Sequence, residues 1–207
     1  MIRAFLAVES SRALRAELAT VQQDLKRRIE PEMKRGMRIT WAQPASIHLT
    51  LKFLGDVDEG VIDPLRAALE PLIGGQRLVS VPLARLGVFP QRQRPRVLWV
   101  GPPEDWGKGA EAVRMAGIHG AIEEACEGLG LIRENKFFSP HLTLGRIKVG
   151  ERQVGVALAR SGALDHPLSP ASLAVGSVAL IQSELKATGP VHTKLWEVRL
   201  LGPSGEP

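Results

Sequence analysis

The tetrapeptide His48-Leu49-Thr50-Leu51 returns as His141-Leu142-Thr143-Leu144, and this repeat constrains the fold more than any other feature of the chain. It takes two of only five histidines. Successive side chains of a β-strand point to opposite faces, so a strand here sets His48 and Thr50 on one face and Leu49, Leu51 and Phe53 on the other. The second copy sets His141 and Thr143 in front with Leu142 and Leu144 behind. Leucines that anchor each strand in a core leave an imidazole and a hydroxyl looking out together. Two such strands across a cleft present two of each to one substrate.

The flanking pattern predicts two units of similar build. Ile2 to Val8 reads as a strand, and Leu14, Leu18, Val21, Leu25 and Ile29 recur at helical spacing behind the caps Ser10 and Ser11, as far as Pro31. Ile39 to Trp41 is a short strand. Ile47 to Leu54 is the first histidine strand, closed by Gly55, and Val61, Ile62, Leu65 and Leu69 mark a helix capped by Asp58. Extended runs from Leu78 to Phe89 and from Val97 to Gly101 form a hairpin whose tip carries Arg92, Arg94 and Arg96. After a linker at Trp106 to Gly109, Glu111 to Leu129 is a helix, and Phe137, Phe138 and Pro140 lead into the second histidine strand. A helix from Glu151 to Arg160, an extended run from Leu173 to Leu185, a turn at Thr188-Gly189-Pro190 and a strand from Val191 to Leu200 complete the chain, with a frayed tail after Leu201. Each histidine strand is thus followed by a helix and a strand pair. The prediction is an α+β fold of two pseudo-symmetric lobes, each with an antiparallel sheet lining a central cleft and helices outside. Residues 1–207 form one bilobal domain, with an internal repeat over roughly 39–101 and 132–200.

Composition narrows the partners. Lys plus Arg number 27 against 22 for Asp plus Glu, a net charge of +5 that favours a polyanion such as RNA or a phosphorylated metabolite. A single cysteine, Cys126, excludes an intrachain disulfide and fits a reducing, cytoplasmic setting. On its helix it reads as core filler. No apolar run approaches the roughly 20 residues that span a bilayer, and the run after Met1-Ile2-Arg3 is too short for a signal peptide. We therefore expect a soluble protein with no membrane and no obligate protein partner. A monomer is expected, because no apolar helix face is left unexplained.

Two imidazoles with an ordinary pKa near 6.5 suit displacement at phosphorus, one neutral as base and one protonated as acid. A threonine two residues along reaches the same space and donates to a non-bridging oxygen, where preorganised donors stabilise growing negative charge. A metal site needs three or four ligands. Near these histidines there is no cysteine or second histidine at ligand spacing, and Asp56 and Asp58 are the only carboxylates close to the first copy. No metal and no cofactor are expected. No serine sits on a recognisable nucleophile elbow either.

The paired His-x-Thr strands resemble those of the 2H phosphoesterases, and further residues resemble the RNA 2′,3′-cyclic phosphodiesterase branch, also called 2′-5′ RNA ligase. These are Ile2-Arg3-Ala4-Phe5-Leu6-Ala7-Val8, Trp41 with Pro44 before the run His48 to Gly55, Phe89-Pro90, Arg94 to Trp99, and Pro140 to Arg146. The resemblance implies metal-independent hydrolysis of a 2′,3′-cyclic phosphate, at RNA ends or in cyclic nucleotides, to a 2′-phosphomonoester. It also implies that His48 protonates the departing 3′ oxygen, His141 activates water, and Thr50, Thr143 and Arg146 bind phosphate oxygens. A 2′-5′ ligation is the same chemistry in reverse. Alternatives are hydrolysis of ADP-ribose cyclic phosphate, cleavage of 2′-5′ oligonucleotides, or a non-catalytic RNA-binding module.

Several residues remain open at this level. Arg146 lies five residues from His141, which on a regular strand turns it to the wrong face. A bulge or strand end at Gly145 is needed to bring it to the histidine side, and without one it is a surface charge. Arg92, Arg94 and Arg96 are either an RNA-backbone contact or a solvated loop. Phe5 and Phe138 read as core before base-stacking groups. His192 stands where the family carries an aromatic such as Tyr, a residue type absent here, and reads as an exposed strand residue. His119 and His166 read as helix-packing or surface residues.

Overall fold

In the computed structural model, which describes residues 1–134, 137–169, 171–186 and 189–202, the chain runs through ten strands and four α-helices. In order they are β1 (Ile2–Glu9), α1 (Arg12–Ile29), β2 (Arg38–Trp41), β3 (His48–Val57), α2 (Ile62–Ile73), β4 (Val79–Pro82) and β5 (Arg85–Phe89). Then come β6 (Val97–Gly101), α3 (Ala110–Gly128), β7 (Leu142–Val149), α4 (Glu151–Ser161), β8 (Ser172–Val175), β9 (Ser177–Lys186) and β10 (Gly189–Arg199). The expected α+β architecture of two lobes is present. The stop at Pro31 is also present, with α1 ending at Ile29, and Ser11 caps that helix by accepting from the Leu14 amide at 3.1 Å.

Eight strands form one antiparallel sheet in the order β10-β9-β1-β3-β7-β6-β5, with β2 on the other side of β7. Its two halves meet at β3 and β7 through one residue pair, Leu49 opposite Leu142. That narrow junction divides the sheet into two lobes. The hairpin that follows each histidine strand lies in the other half: β5 and β6 extend from β7, while β9 and β10 join β3 through β1. β4 and β8, which hold equivalent places after the two histidine strands, pair with each other as a separate two-stranded sheet.

Two expected runs are broken. Leu78 to Phe89 divides at Pro82, which has no amide to donate; beyond it the Leu83 amide turns to Ala171 and that of Ala84 to Gly101. Leu173 to Leu185 divides at Gly176, where the chain leaves β4 for the large sheet. β3 does not stop at Gly55 but continues to Val57, because Gly55 adopts a left-handed φ of +74° beside an irregularity in the pairing with β1. Of the expected turn, Gly189 and Pro190 begin β10, and Thr188 lies outside the described residues, as does the tail from 203.

Helices cover the back of the sheet, α1 packing with α4 and α2 with α3. The leucines of both repeats, Leu49, Leu51, Leu142 and Leu144, are buried there. Cys126 fills this core, its thiol pushed up to about 11 by burial. Among the described residues no helix is long and apolar enough to cross a membrane.

One charged pair lies inside that core. Lys52 Nζ, from the strand of the first repeat, reaches both carboxylate oxygens of Glu123 on α3 at 3.0 and 2.8 Å and the Ile132 carbonyl at 2.8 Å. Their side chains are 1% and 4% exposed. Glu123 also accepts from the Glu134 amide at 3.0 Å, so the pair ties β3 to the segment that leads into β7. A buried pair gains little net stability, but removing one partner strands the other charge. Lys52→Met is predicted to cost about 3–5 kcal/mol in denaturant unfolding. The double variant Lys52→Met with Glu123→Leu should recover most of that loss.

Candidate active site

Register puts the repeats face to face. Because Leu49 opposes Leu142 in an antiparallel pair, His48 falls opposite Thr143 and Thr50 opposite His141, all half-buried on the open side of the sheet. Each imidazole is fixed in the same way. His48 Nδ1 lies 2.8 Å from the Ser46 carbonyl and His141 Nδ1 lies 2.8 Å from the Ser139 carbonyl. A carbonyl only accepts, so both rings carry their proton on Nδ1 and leave Nε2 free in the cleft, as a base when neutral and an acid when protonated. A serine two residues before each histidine is visible in the sequence and marks this extension of the repeat.

Both strands then bulge at the fourth residue of the motif. On β7, Trp99 opposes Thr143 and Leu98 opposes Gly145, which leaves Leu144 extra. On β3, Ala7 opposes Thr50 and Leu6 opposes Lys52, which leaves Leu51 extra. An extra residue reverses the alternation. Arg146 therefore joins Thr143 on the open face while Ile147 returns to the core, as the required bulge at Gly145 predicts. Gly145 serves by its size: a Cβ there would meet Ile39 and Trp41 at 3.2 Å. On β3 the same shift overturns the expectation for Phe53, which leaves the leucine face and is 61% exposed on the open one, while Lys52 goes into the core.

Helix side chains hold the bulges. The Leu144 carbonyl accepts from Gln22 Nε2 at 2.7 Å and from the Ala42 amide at 2.9 Å; Gln22 is buried on α1. The Leu51 carbonyl faces the ring of His119 on α3, and that ring stacks on Phe138 at 4.3 Å. His119 and Phe138 are thus packing residues, as read from the sequence. His166 lies on the surface against Arg28 at 2.7 Å.

Aromatic rings wall the cleft. Phe5 stacks on His48 at 4.8 Å as part of a small cluster with Ala7, Ala179 and Ile181, separate from the main core. Phe89 and Trp99 lie 4.9 and 6.3 Å from His141. Trp99 crosses Gly87, where an added Cβ would come within 2.1 Å of the indole. The expectation for His192 is corrected: it is half-buried, 5.4 Å from His48 and 5.2 Å from Phe5, a third imidazole in the site. Only its place at an aromatic position of the family marked it beforehand. In the basic loop, Arg92 is paired with Asp165 at 3.1 Å and Arg96 with Glu151 at 2.9 Å, which offsets two of its three charges.

Burial is the main force on the three imidazoles. It holds His48 down to about 4, against the Ser46 carbonyl and assisted by His192 and Arg146. His141 is lowered by burial, against the Ser139 carbonyl, and by Arg146, and His192 is lowered by burial. Both repeat histidines are neutral at pH 7 in the free site, so an incoming anion must supply the favourable field for the protonated form. Among the described residues no three His, Cys, Asp or Glu side chains converge as metal ligands would.

Comparison with known proteins places this geometry. The LigT-like phosphoesterase family matches residues 8–99 and 109–192. The chain belongs to that family. The phosphoesterase chain is 29% identical over 201 residues to the RNA 2′,3′-cyclic phosphodiesterase of Methanothermobacter thermautotrophicus, covering 96% of this chain and 99% of that one. It is 34% identical to the protein of the same name from Aeropyrum pernix, over 79% of this chain and 88% of that one. Among solved structures, TT0787 of Thermus thermophilus superposes with a TM-score of 0.68 at 27% identity, covering 98% of this chain and all (100%) of that one. E. coli LigT complexed with 3′-AMP shares the fold at a TM-score of 0.65 and 19% identity, covering 96% and 98% of the two chains.

The electrostatic description is open to measurement. Removing the Arg146 charge relieves its repulsion of both imidazolium ions, so Arg146→Ala should raise the pKa of His48 and of His141 together in an NMR titration. A rise at one histidine alone would show that Arg146 does not stand between them.

Proposed function

We propose that this chain hydrolyses 2′,3′-cyclic phosphates, at RNA ends or in cyclic nucleotides, to 2′-phosphomonoesters, with His48 and His141 as an acid–base pair and no metal. The observation that carries the reading is the matched presentation of the two rings, each bound through Nδ1 to a carbonyl and each opposite the other repeat's threonine. The names of the relatives, RNA 2′,3′-cyclic phosphodiesterase, supply the substrate class. The whole chain acts as one bilobal domain, a cytoplasmic monomer, with RNA ends as its partner.

In this reading His141 Nε2 takes a proton from water as the water oxygen attacks phosphorus. The bond to the 3′ oxygen breaks on the opposite side, and His48 Nε2 gives that oxygen its proton. A 2′-phosphate remains, and the two histidines exchange their proton through solvent to restore the starting state. The hydroxyls of Thr50 and Thr143 and the guanidinium of Arg146 donate to the non-bridging oxygens. A ribose 5′ hydroxyl in place of water gives a 2′-5′ linkage by the same steps.

Histidines held neutral when the site is empty shape the pH response. The phosphate anion brings a negative charge beside both rings and favours their protonated forms. The profile of kcat/KM, which reports the free enzyme, should fall on the alkaline side at or below pH 6.5. The corresponding limb of kcat should lie at higher pH; coincident limbs would contradict the account.

Replacement separates the roles. His48→Ala and His141→Ala should each lower kcat by about 10²–10⁴ on a 2′,3′-cyclic mononucleotide in excess EDTA. Thr50→Val or Thr143→Val should lower it by about 10²–10³. The product is a 2′-phosphate, seen by phosphorus NMR; turnover that survives loss of either histidine would remove the acid–base pair.

A further inference from the structure

The two sides of the cleft are unequal. Beside His48 opens a cavity of about 340 Å³ bounded by His48, His192, Arg15, Glu9, Ile181 and Val191. That volume is within the range of nucleotide-sized ligand sites, about 300–1,000 Å³, and exceeds what one phosphate needs. On the other side the rings of Phe89 and Trp99 stand 4.9 and 6.3 Å from that of His141. Displacement in line requires such an asymmetry: the attacking side admits a water, and the departing oxygen carries the ribose with the rest of its chain.

Arg15 gives the cavity its chemistry. Its Nε is buried with no hydrogen-bond partner, and among the described residues no carboxylate is within ion-pair distance of its guanidinium. The nearby acid, Glu9, is held by Lys194 Nζ at 2.8 Å. A buried guanidinium atom without an acceptor is costly, and Arg is suited to phosphate by its fork of donors. Ile181, Val191 and the His192 ring add apolar and aromatic surface to the same cavity.

We propose that this cavity is a second subsite, which seats the nucleoside whose cyclic phosphate is opened, with Arg15 gripping the phosphate on its ribose 5′ oxygen. The proposal rests on the cyclic phosphodiesterase reading and refines it: the preferred substrate is an RNA end, with a phosphodiester on the 5′ side, and not a mononucleotide. It also assigns the acid side to His48 from the shape of the site. The same phosphate could belong to the pyrophosphate of an ADP-ribose chain, and we assign it to RNA because the protein carries an excess of positive charge suited to a polyanion.

Binding of product analogues tests the subsite without turnover. Titration calorimetry of the full chain in EDTA compares uridine 2′-phosphate with uridine 2′,5′-bisphosphate. The bisphosphate should bind about tenfold more tightly or better, the gain of one charge-assisted phosphate contact. Arg15→Ala should bring that ratio close to one and Arg15→Lys should keep part of it, while Arg12→Ala, on an exposed position of the same helix, should leave it unchanged. A ratio near one in the native chain, or one that Arg15→Ala leaves intact, overturns the subsite. Tighter binding of ADP-ribose 2″-phosphate than of a dinucleotide ending in a 2′-phosphate overturns the RNA assignment. Absence of product from a cyclic dinucleotide end, with the ratio present, would overturn the hydrolase reading and leave the subsite standing.

Discussion

Everything in the cleft depends on the pairing of Leu49 with Leu142. That single antiparallel contact joins the two halves of the sheet and fixes the register by which each histidine faces the other repeat's threonine. A slip of either strand by one residue would turn its own imidazole into the core and its leucines into the cleft. Burial of Leu49 and Leu142, 1% and 0% exposed, makes that slip expensive. Hydrophobic burial behind the strands therefore sets the polar geometry in front of them.

The bulges add the second layer of the arrangement. By placing one extra residue after each His-x-Thr, they bring a residue five positions from the histidine to the same face: Arg146 in one strand and Phe53 in the other. The pseudo-symmetry thus carries a built-in difference, a cation beside one repeat and an aromatic ring beside the other. Gln22 from α1 and His119 from α3 attend the two bulge carbonyls, each from the helix that precedes the opposite strand. The lobes are held to each other by the same groups that shape the cleft, and the buried Lys52–Glu123 pair adds a further tie.

Much of this was legible in the residues. Period-3.6 patterns placed α1, α3 and α4 and period-two patterns the first residues of the histidine strands, since those segments bury one regular face, while β1, buried on both faces, is marked by its apolar run. The four motif residues follow from the repeat itself. What failed did so where tertiary contacts override local pattern. Phe53 and Lys52 exchange faces because an extra residue reverses the alternation, and no local signal marks a bulge at Leu51. The breaks at Pro82 and Gly176 arise because the chain changes partners there. His192 is a cleft residue only because β10 lies beside β9, in the half of the sheet that holds His48. The charges of Arg92 and Arg96 are met by acids far along the chain, which no reading of the loop reveals.

The central claim is that the two Nε2 atoms address one phosphorus from opposite sides. A crystal structure of the uridine–vanadate complex, grown with EDTA, tests it most directly, since vanadate takes the five-coordinate shape of the displacement. The account predicts that His48 Nε2 and His141 Nε2 each lie about 2.6–3.2 Å from a different apical oxygen of the same vanadium. A complex in which one histidine stands away from the vanadate, or both contact the same apical oxygen, would contradict it.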